Sequence, residues 1–282
     1  MNNSTSALAE PAADDALTRP FHGPSPYDEY VHASVLNSLQ QPLTEAADEM
    51  GFLVTTQVQE LWFTLIVHEW RSAGRALAGD DLDEALAALT RSRRAHTALN
   101  ASWQPIAELT PGQFNGFRAA FGKASGFQSA MYRHMEFLLG DKDTRMLDLH
   151  RGDPVVHDAL NETYHAPSLY DEVLRFLHRR GLPVPEHVRN RDVAGPYVPD
   201  PGVVEVWRQI YAGSPFHPLL GLGEALTGIA ELVARWRFDH VMVVRRAMGA
   251  KPGSAGSAGL AWLEKRAARP VFPELWEARG AV

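Results

Sequence analysis

ADEMGFLVTTQVQELWFTLIVHEWRSAGRALA, residues 47–78, decides the fold. Helical periodicity runs along the whole stretch, and strand-like alternation is almost absent from the chain. The stretch ends near Gly79, where Asp80 and Asp81 are poised to start the next helix, 82–101, with its leucines and alanines at helical spacing. Beyond it, Thr110-Pro111-Gly112-Gln113 reads as a helix start. Thr110 can cap, Pro111 suits the first helical position and Gln113 can close a capping box. A further apolar-faced helix is expected over 127–139, stopped by Gly140. Ser168 opens another, whose last turn holds His178, Arg179 and Arg180 before Gly181 and Pro183.

The proline- and charge-rich segment 183–202 reads as a connection on the surface, and a long helix is expected over 218–248, ending at Gly249. GAKPGSAGSAG (249–259) has linker composition, but the apolar LAWLEKRAARPVFPELWEAR after it should dock on the body rather than form a second domain. MNNSTSALAEPAADDALTRP (1–20) reads as a flexible polar tail without the basic start and apolar core of a secretory signal. The expected architecture is all-α, with the tail at 1–20 and one helical domain at 21–282.

Composition narrows the function. The net charge of −7 disfavours a duplex nucleic-acid surface, and no run of eighteen apolar residues suggests a membrane span. The expected location is cytoplasmic. The absence of cysteine removes disulfides, thiolate ligands, covalent heme attachment and cysteine nucleophiles together.

The twelve histidines contain no HExxH and no pair four residues apart, so a zinc site is not indicated. His240 stands out. It lies within the long helix, where Ile229, Val233, Trp236, Val243, Val244 and Ala247 recur at intervals of three and four. Such a histidine is either a core residue bonded to a carbonyl or the neutral axial ligand of a single-histidine heme pocket. Arg118 in QFNGFRAAF sits among Phe114, Phe117 and Phe121 and needs an anion, either a structural acid or a ligand carboxylate. Phe52 and Thr56, one turn apart with Glu60 and Phe63 on the same side, either line a small dry pocket or belong to the core. In the second case Thr56 bonds back to the helix.

Several long, ordered segments carry a resemblance. They include YDEYVHASVLNSLQQPL (27–43), DEMGFLVTTQVQELWF (48–63), GFRAAFGKASGFQSAMYRHMEFLLG (116–140), APSLYDEVLRFLHRRG (166–181), WRFDH (236–240), GAKPGSAGSAG (249–259) and FPELWEAR (272–279). Together they resemble the tryptophan 2,3-dioxygenases, heme enzymes that open the indole ring. The resemblance implies a helical bundle enclosing one heme b, with dioxygen as co-substrate and an indole amino acid as substrate. By position, His240 becomes the proximal ligand, with Trp103, Ser125 and Gly126 also beside the heme. Arg118 binds the substrate carboxylate, Phe52 stacks on the indole, and Ser254 of the Gly/Ser stretch lies near the ammonium group. The family is a homotetramer in which residues matching Tyr27, Tyr30 and Val31 reach a neighbour's active site.

Three polar contacts depart from the family pattern. Thr56 stands where a distal histidine is usual, Phe114 replaces a tyrosine and Ser254 replaces a threonine. A threonine hydroxyl does not exchange a proton near neutral pH as an imidazole does. Two outcomes stay open: insertion of both oxygen atoms with ring opening, or insertion of one at C2 or C3 of a modified tryptophan to give a hydroxylated or 2-oxindole product. A heme sensor without catalysis is the alternative of another class, and oxidation of a phenol is a third.

Overall fold

The computed structural model describes residues 23–214, 217–249, 251 and 259–280. The tail expected at 1–20 lies outside them, as does Ser254. Among the described residues every regular element is helical. The chain forms two compact units that divide after Gln41.

In the first unit, α1 (Pro26–Val31) and α2 (Ala33–Asn37) are short. Ser25 caps α1 by accepting the Asp28 N–H at 3.1 Å, and His32, at φ 54°, turns the chain between the helices. Tyr27, Tyr30, Val31 and Val35 are exposed.

The second unit is built on α3 (Ala47–Ala78) and α4 (Leu82–Ala101), packed side by side. Asp81 caps α4 by accepting the Glu84 N–H at 3.0 Å. Between the two helices, Trp70 Nε1 donates to Ser92 Oγ at 3.1 Å. The capping box at α5 (Pro111–Arg118) forms as its sequence predicts: Thr110 Oγ1 accepts from Gln113 N, and Gln113 Oε1 accepts from Thr110 N. The next α-helix, α6 (Ala130–Leu138), begins three residues later than its periodicity suggests. Ser129 caps it by accepting the Tyr132 N–H at 3.0 Å, and Ser125 and Gln128 enclose a separate 3-10 turn over Gly126–Gln128.

Then follow α7 (Thr144–Asp148), α8 (Pro154–His165) and α9 (Leu169–Arg179). The segment 183–202 is more than a surface connection. It contains α10 (Glu186–Arg189), buries Val184 and Val188, and bonds Tyr197 N to the Gly140 carbonyl at 3.0 Å. Its apolar side chains win over its charged ones because the charges can stay in water while the valines fill the core.

Next come α11 (Pro201–Ala212) and the long α12 (Leu220–Met248), which packs on α4. The two helices approach so closely that a Cβ on Gly228 would stand 2.7 Å from Arg93 Nε. The C-terminal segment docks, as its apolar residues require, through α13 (Leu260–Ala267) on α12 and α14 (Pro273–Arg279) on α11. Glu274 fastens the last helix. Its fully buried carboxylate accepts the Tyr197 hydroxyl at 2.6 Å, the Tyr170 hydroxyl at 3.3 Å and the Asp200 N–H at 3.1 Å. Three donors offset the desolvation of one carboxylate.

By length and composition α3 is also apolar enough to cross a membrane. Here it packs against α4, α6 and α9 and contributes Phe63, Ile66, Trp70 and Leu77 to the core.

Two buried histidines away from the cavity described below make stability acid-sensitive. Burial lowers the pKa of His96 to about 3 and that of His134 to about 4, the second helped by the nearby Arg71 guanidinium. Both are neutral in the folded chain at pH 5 and charged in the unfolded one, so the unfolded state binds up to two more protons. These two histidines should therefore lower stability as pH drops from about 6.5 towards 4. Urea midpoints measured across that range check this, and His96→Gln should make the fall shallower than in the wild type.

Candidate functional site

A cavity of about 520 Å³ lies among α3, α5, α6, α12 and α13. It is large enough for a cofactor-sized ligand. Its floor is α12. Three turns of apolar spacing place Trp236, His240, Val243, Val244 and Ala247 along the cavity. The His240 ring lies nearly parallel to Trp103, with centroids 5.1 Å apart, and 5.5 Å from Trp236 at a steeper angle. No hydrogen bond to another described residue holds its ring nitrogens. Burial pulls the imidazole down to a pKa of about 4, so it is neutral at neutral pH and both of its lone-pair and N–H functions are available. The core reading of His240, with a carbonyl bond, is therefore not what the structure has.

The helix α3 forms a second wall through Phe52, Thr56, Gln59, Glu60 and Phe63, the positions that face one side over three turns. The Thr56 hydroxyl donates back into its own helix, with Phe52 O at 3.1 Å and Leu53 O at 2.9 Å. With its hydrogen turned to the helix carbonyls, the hydroxyl faces the cavity as an acceptor through its oxygen lone pairs. Phe52 joins a phenylalanine cluster: it stacks on Phe121 at 4.9 Å and tilts against Phe117 at 5.5 Å and Phe114 at 6.1 Å. Arg118 follows from the same short helix as Phe114 and Phe117 and also lines the cavity. This end is thus an apolar aromatic box with one guanidinium.

Ser125 and Gly126 line the cavity where the 3-10 turn begins. Ser125 Oγ accepts the Phe127 N–H at 3.4 Å, which leaves its own hydrogen to be donated. The structure therefore brings together Phe52, Thr56, Trp103, Phe114, Arg118, Ser125, Gly126 and His240 around one cavity. Tyr27, Tyr30 and Val31 belong to the other compact unit.

Several wall residues carry no signal that sequence spacing alone exposes. Arg133 and Glu136 of α6 meet Arg266 of α13 in a buried ion cluster, with Arg266 2.6 Å from Glu136 and Arg133 in direct contact with the same carboxylate. Arg237 of α12 also lines the cavity and donates to the Tyr132 hydroxyl at 3.3 Å. Three buried arginines thus gather around Glu136, and Asp141 pairs with Arg266 at 3.3 Å. In the same wall, five buried N–H groups have no hydrogen-bond partner among the described residues: Gln59 Nε2, Trp103 Nε1, Arg133 Nε, Trp236 Nε1 and Arg266 Nε. All five are donors. Unpartnered buried donors beside buried guanidinium groups suit an acceptor-rich occupant.

No three His, Asp or Glu residues cluster to hold a metal ion among the described residues. The donor set fits a cofactor that brings its own equatorial ligands: one neutral imidazole, a dry aromatic wall and a cationic rim for acidic side groups.

A family model described as tryptophan 2,3-dioxygenase matches residues 12–212 and 205–282. The chain is 38% identical over 276 residues to a tryptophan 2,3-dioxygenase of Bradyrhizobium diazoefficiens, covering 98% of this chain and 99% of that one. It is 37% identical to the enzyme of the same name from Exiguobacterium sibiricum (94% and 96% covered), and 39% identical to that of Polaromonas naphthalenivorans (90% of each).

Proposed function

The chain belongs to the tryptophan 2,3-dioxygenase family, and from that membership we infer that it is a heme-dependent enzyme that oxygenates the indole C2–C3 bond of tryptophan with dioxygen. One observation carries the reading. A neutral, unengaged His240 and the Arg118 guanidinium line the same cavity, with an apolar aromatic box at the arginine end. His240 would hold heme b from α12, and Arg133, Arg237 and Arg266 would meet its acidic side groups. Heme, when bound, supplies the activation of dioxygen.

The chain's own residues bind and orient. Arg118 grips the amino-acid carboxylate with its planar fork, which fixes the indole relative to the reacting centre. Phe52 and its neighbours give the ring an apolar bed and keep water out. Ser125 can donate its hydroxyl hydrogen into the cavity, and Thr56 can accept the indole N–H. The same proposal takes residues 21–282 as one oxygenase domain and a homotetramer as the working form. Tyr27, Tyr30 and Val31 of one copy would then reach the cavity of another, and Ser254 would lie near the substrate ammonium. The exposure of those three side chains supports this arrangement.

Addition of L-tryptophan to the heme-loaded ferric protein should shift its main absorption band with saturation. No shift with any indole amino acid would favour a heme sensor instead.

A second reading, insertion of one oxygen atom into a modified tryptophan, is favoured by the state of Thr56. A hydroxyl whose hydrogen is committed to the Phe52 and Leu53 carbonyls does not stand in for an imidazole that gives and takes a proton. One-atom insertion consumes two electrons per turnover, whereas two-atom insertion consumes none. Turnover that scales with added reductant therefore identifies the second reading. Thr56→Val keeps the side-chain volume and removes the acceptor. It should weaken tryptophan binding by only about 0.5–1.5 kcal/mol, roughly two- to tenfold, read from the same absorption shift. Thr56→His should raise the proportion of ring-opened product.

A further inference from the structure

A site rejects an analogue that lacks one N–H when the loss leaves a buried polar group of the protein without a partner. Beside the indole ring, the wall of this cavity has no such group to strand.

With the carboxylate on Arg118 and the ring against Phe52, the indole lies in a box of Phe52, Phe114 and Phe121. None of these offers a hydrogen-bonding side-chain atom. Thr56 follows Phe52 by one turn on the same face of α3. Gln59 and Glu60 stand about one turn further along, before Phe63, which packs on Tyr132 and Trp236 at the His240 end. Ser125 already accepts the Phe127 N–H and has its own hydrogen to give, so it suits an acceptor better than the indole N–H. In this pose Thr56 is the polar group of α3 beside the ring, the one that the indole N–H can reach.

The Thr56 hydroxyl has its partners without any ligand. Its hydrogen goes to the helix carbonyls of Phe52 at 3.1 Å and Leu53 at 2.9 Å, so no unpaired hydrogen faces the cavity. A substrate without the N–H therefore forfeits one neutral hydrogen bond and strands no donor, a loss of about two- to tenfold in affinity. The side chain is also short. It ends at its γ atoms, and nothing from position 56 extends over the indole nitrogen. A methyl group on that nitrogen, buried against phenyl rings, returns about fourfold. The two effects are of similar size and opposite sign.

We propose that the substrates of this cavity include tryptophans alkylated at the indole nitrogen, and that Thr56 is the residue that admits them. The proposal rests on the function inferred above. In two-atom insertion the C2–C3 double bond and the O–O bond break, and two C=O bonds form. The bond from nitrogen to its substituent stays intact, and no proton or electron enters or leaves. An N-methyl substrate therefore gives a ring-opened product that still carries the methyl group.

The test titrates L-tryptophan and its N1-methyl derivative into the heme-loaded ferric protein and reads the shift of the main absorption band. The two dissociation constants should lie within about tenfold of each other. Under labelled dioxygen, the reduced protein should add as many labelled atoms to the methylated compound as to tryptophan. Thr56→Val removes the acceptor and keeps the volume. It should weaken tryptophan about two- to tenfold and leave the methylated compound within about twofold of its wild-type binding. Thr56→His brings a longer side chain with a ring nitrogen that seeks a partner. It should retain tryptophan and raise discrimination against the methylated compound about tenfold or more. A methylated compound that binds the wild type more than about tenfold more weakly than tryptophan overturns the proposal. So does one that binds and stays unoxygenated while tryptophan reacts. A Thr56→Val variant that weakens both ligands alike makes Thr56 a structural residue and also overturns it. The binding titration separates two failures. If neither compound moves the band, the function inferred above falls and this substrate class falls with it. If tryptophan alone moves the band, only the substrate class is wrong.

Discussion

His240→Ala should leave a helical protein that no longer retains heme and has lost oxygenation. The imidazole is the only histidine among the described residues of the cavity wall, and the chain contains no cysteine to replace it. Removing an outer-shell partner of a metal ligand typically costs about 10–100-fold in affinity or activity, so removing the ligand itself should cost about 100-fold or more. The fold should tolerate the change, because no hydrogen bond between the His240 ring and another described residue is broken and the ring packs on Trp103 and Trp236. Far-ultraviolet circular dichroism should therefore match the wild type, and added imidazole should restore part of the heme spectrum. A His240→Ala protein with an unchanged five-coordinate histidine signature would remove His240 from the site.

Arg118→Leu has the second largest expected effect. A guanidinium that takes a carboxylate bidentately makes charge-assisted hydrogen bonds, together worth about 3 kcal/mol. Its loss should lower kcat/KM for tryptophan by about 10²-fold. Arg118→Lys keeps the charge without the planar fork and should fall between the two. Tryptamine, which lacks the carboxylate, supplies the control: wild type and Arg118→Leu should handle it within a few-fold of each other. If the variant loses as much on tryptamine as on tryptophan, Arg118 serves the fold and not the substrate.

The helices that build the site were legible because they are long and regularly patterned. The apolar repeat of α3 and the run around His240 on α12 each survive as one continuous helix. The Thr110 capping box is local chemistry and forms where its residues stand. The start of α6 was harder, since Ser125 and Ser129 are both good caps four residues apart and the chain uses both. Asp153-Pro154 and Asp200-Pro201 are helix starts of the same local kind, and each Asp side chain does cap its helix, α8 and α11. Those helices lie within polar or proline-rich sequence that masks the signal.

The site was legible on one side only. His240, Arg118, Phe52 and Thr56 sit on helices whose faces can be read from spacing. The cationic wall cannot be read that way, because Glu136 meets Arg266 across 130 residues of chain and nothing near either residue announces the other. Glu60 lay within reach of spacing, as it shares the face of Thr56. Its raised pKa comes from burial in the folded chain, which spacing does not contain. The spent hydrogen of Thr56 is a similar case: the residue is visible in the sequence, and its bond to the helix is a matter of side-chain rotation.

Isotopically labelled dioxygen shows whether this cavity oxygenates the indole ring. The reduced, heme-loaded protein is incubated with L-tryptophan and labelled dioxygen, and the products are weighed by mass spectrometry. Label from dioxygen should appear in the substrate's own skeleton: two atoms with the ring opened, or one atom with the ring intact under the second reading. Unchanged tryptophan, with no label in any indole-derived product from it or from substituted tryptophans, would mean that the cavity does not oxygenate indoles.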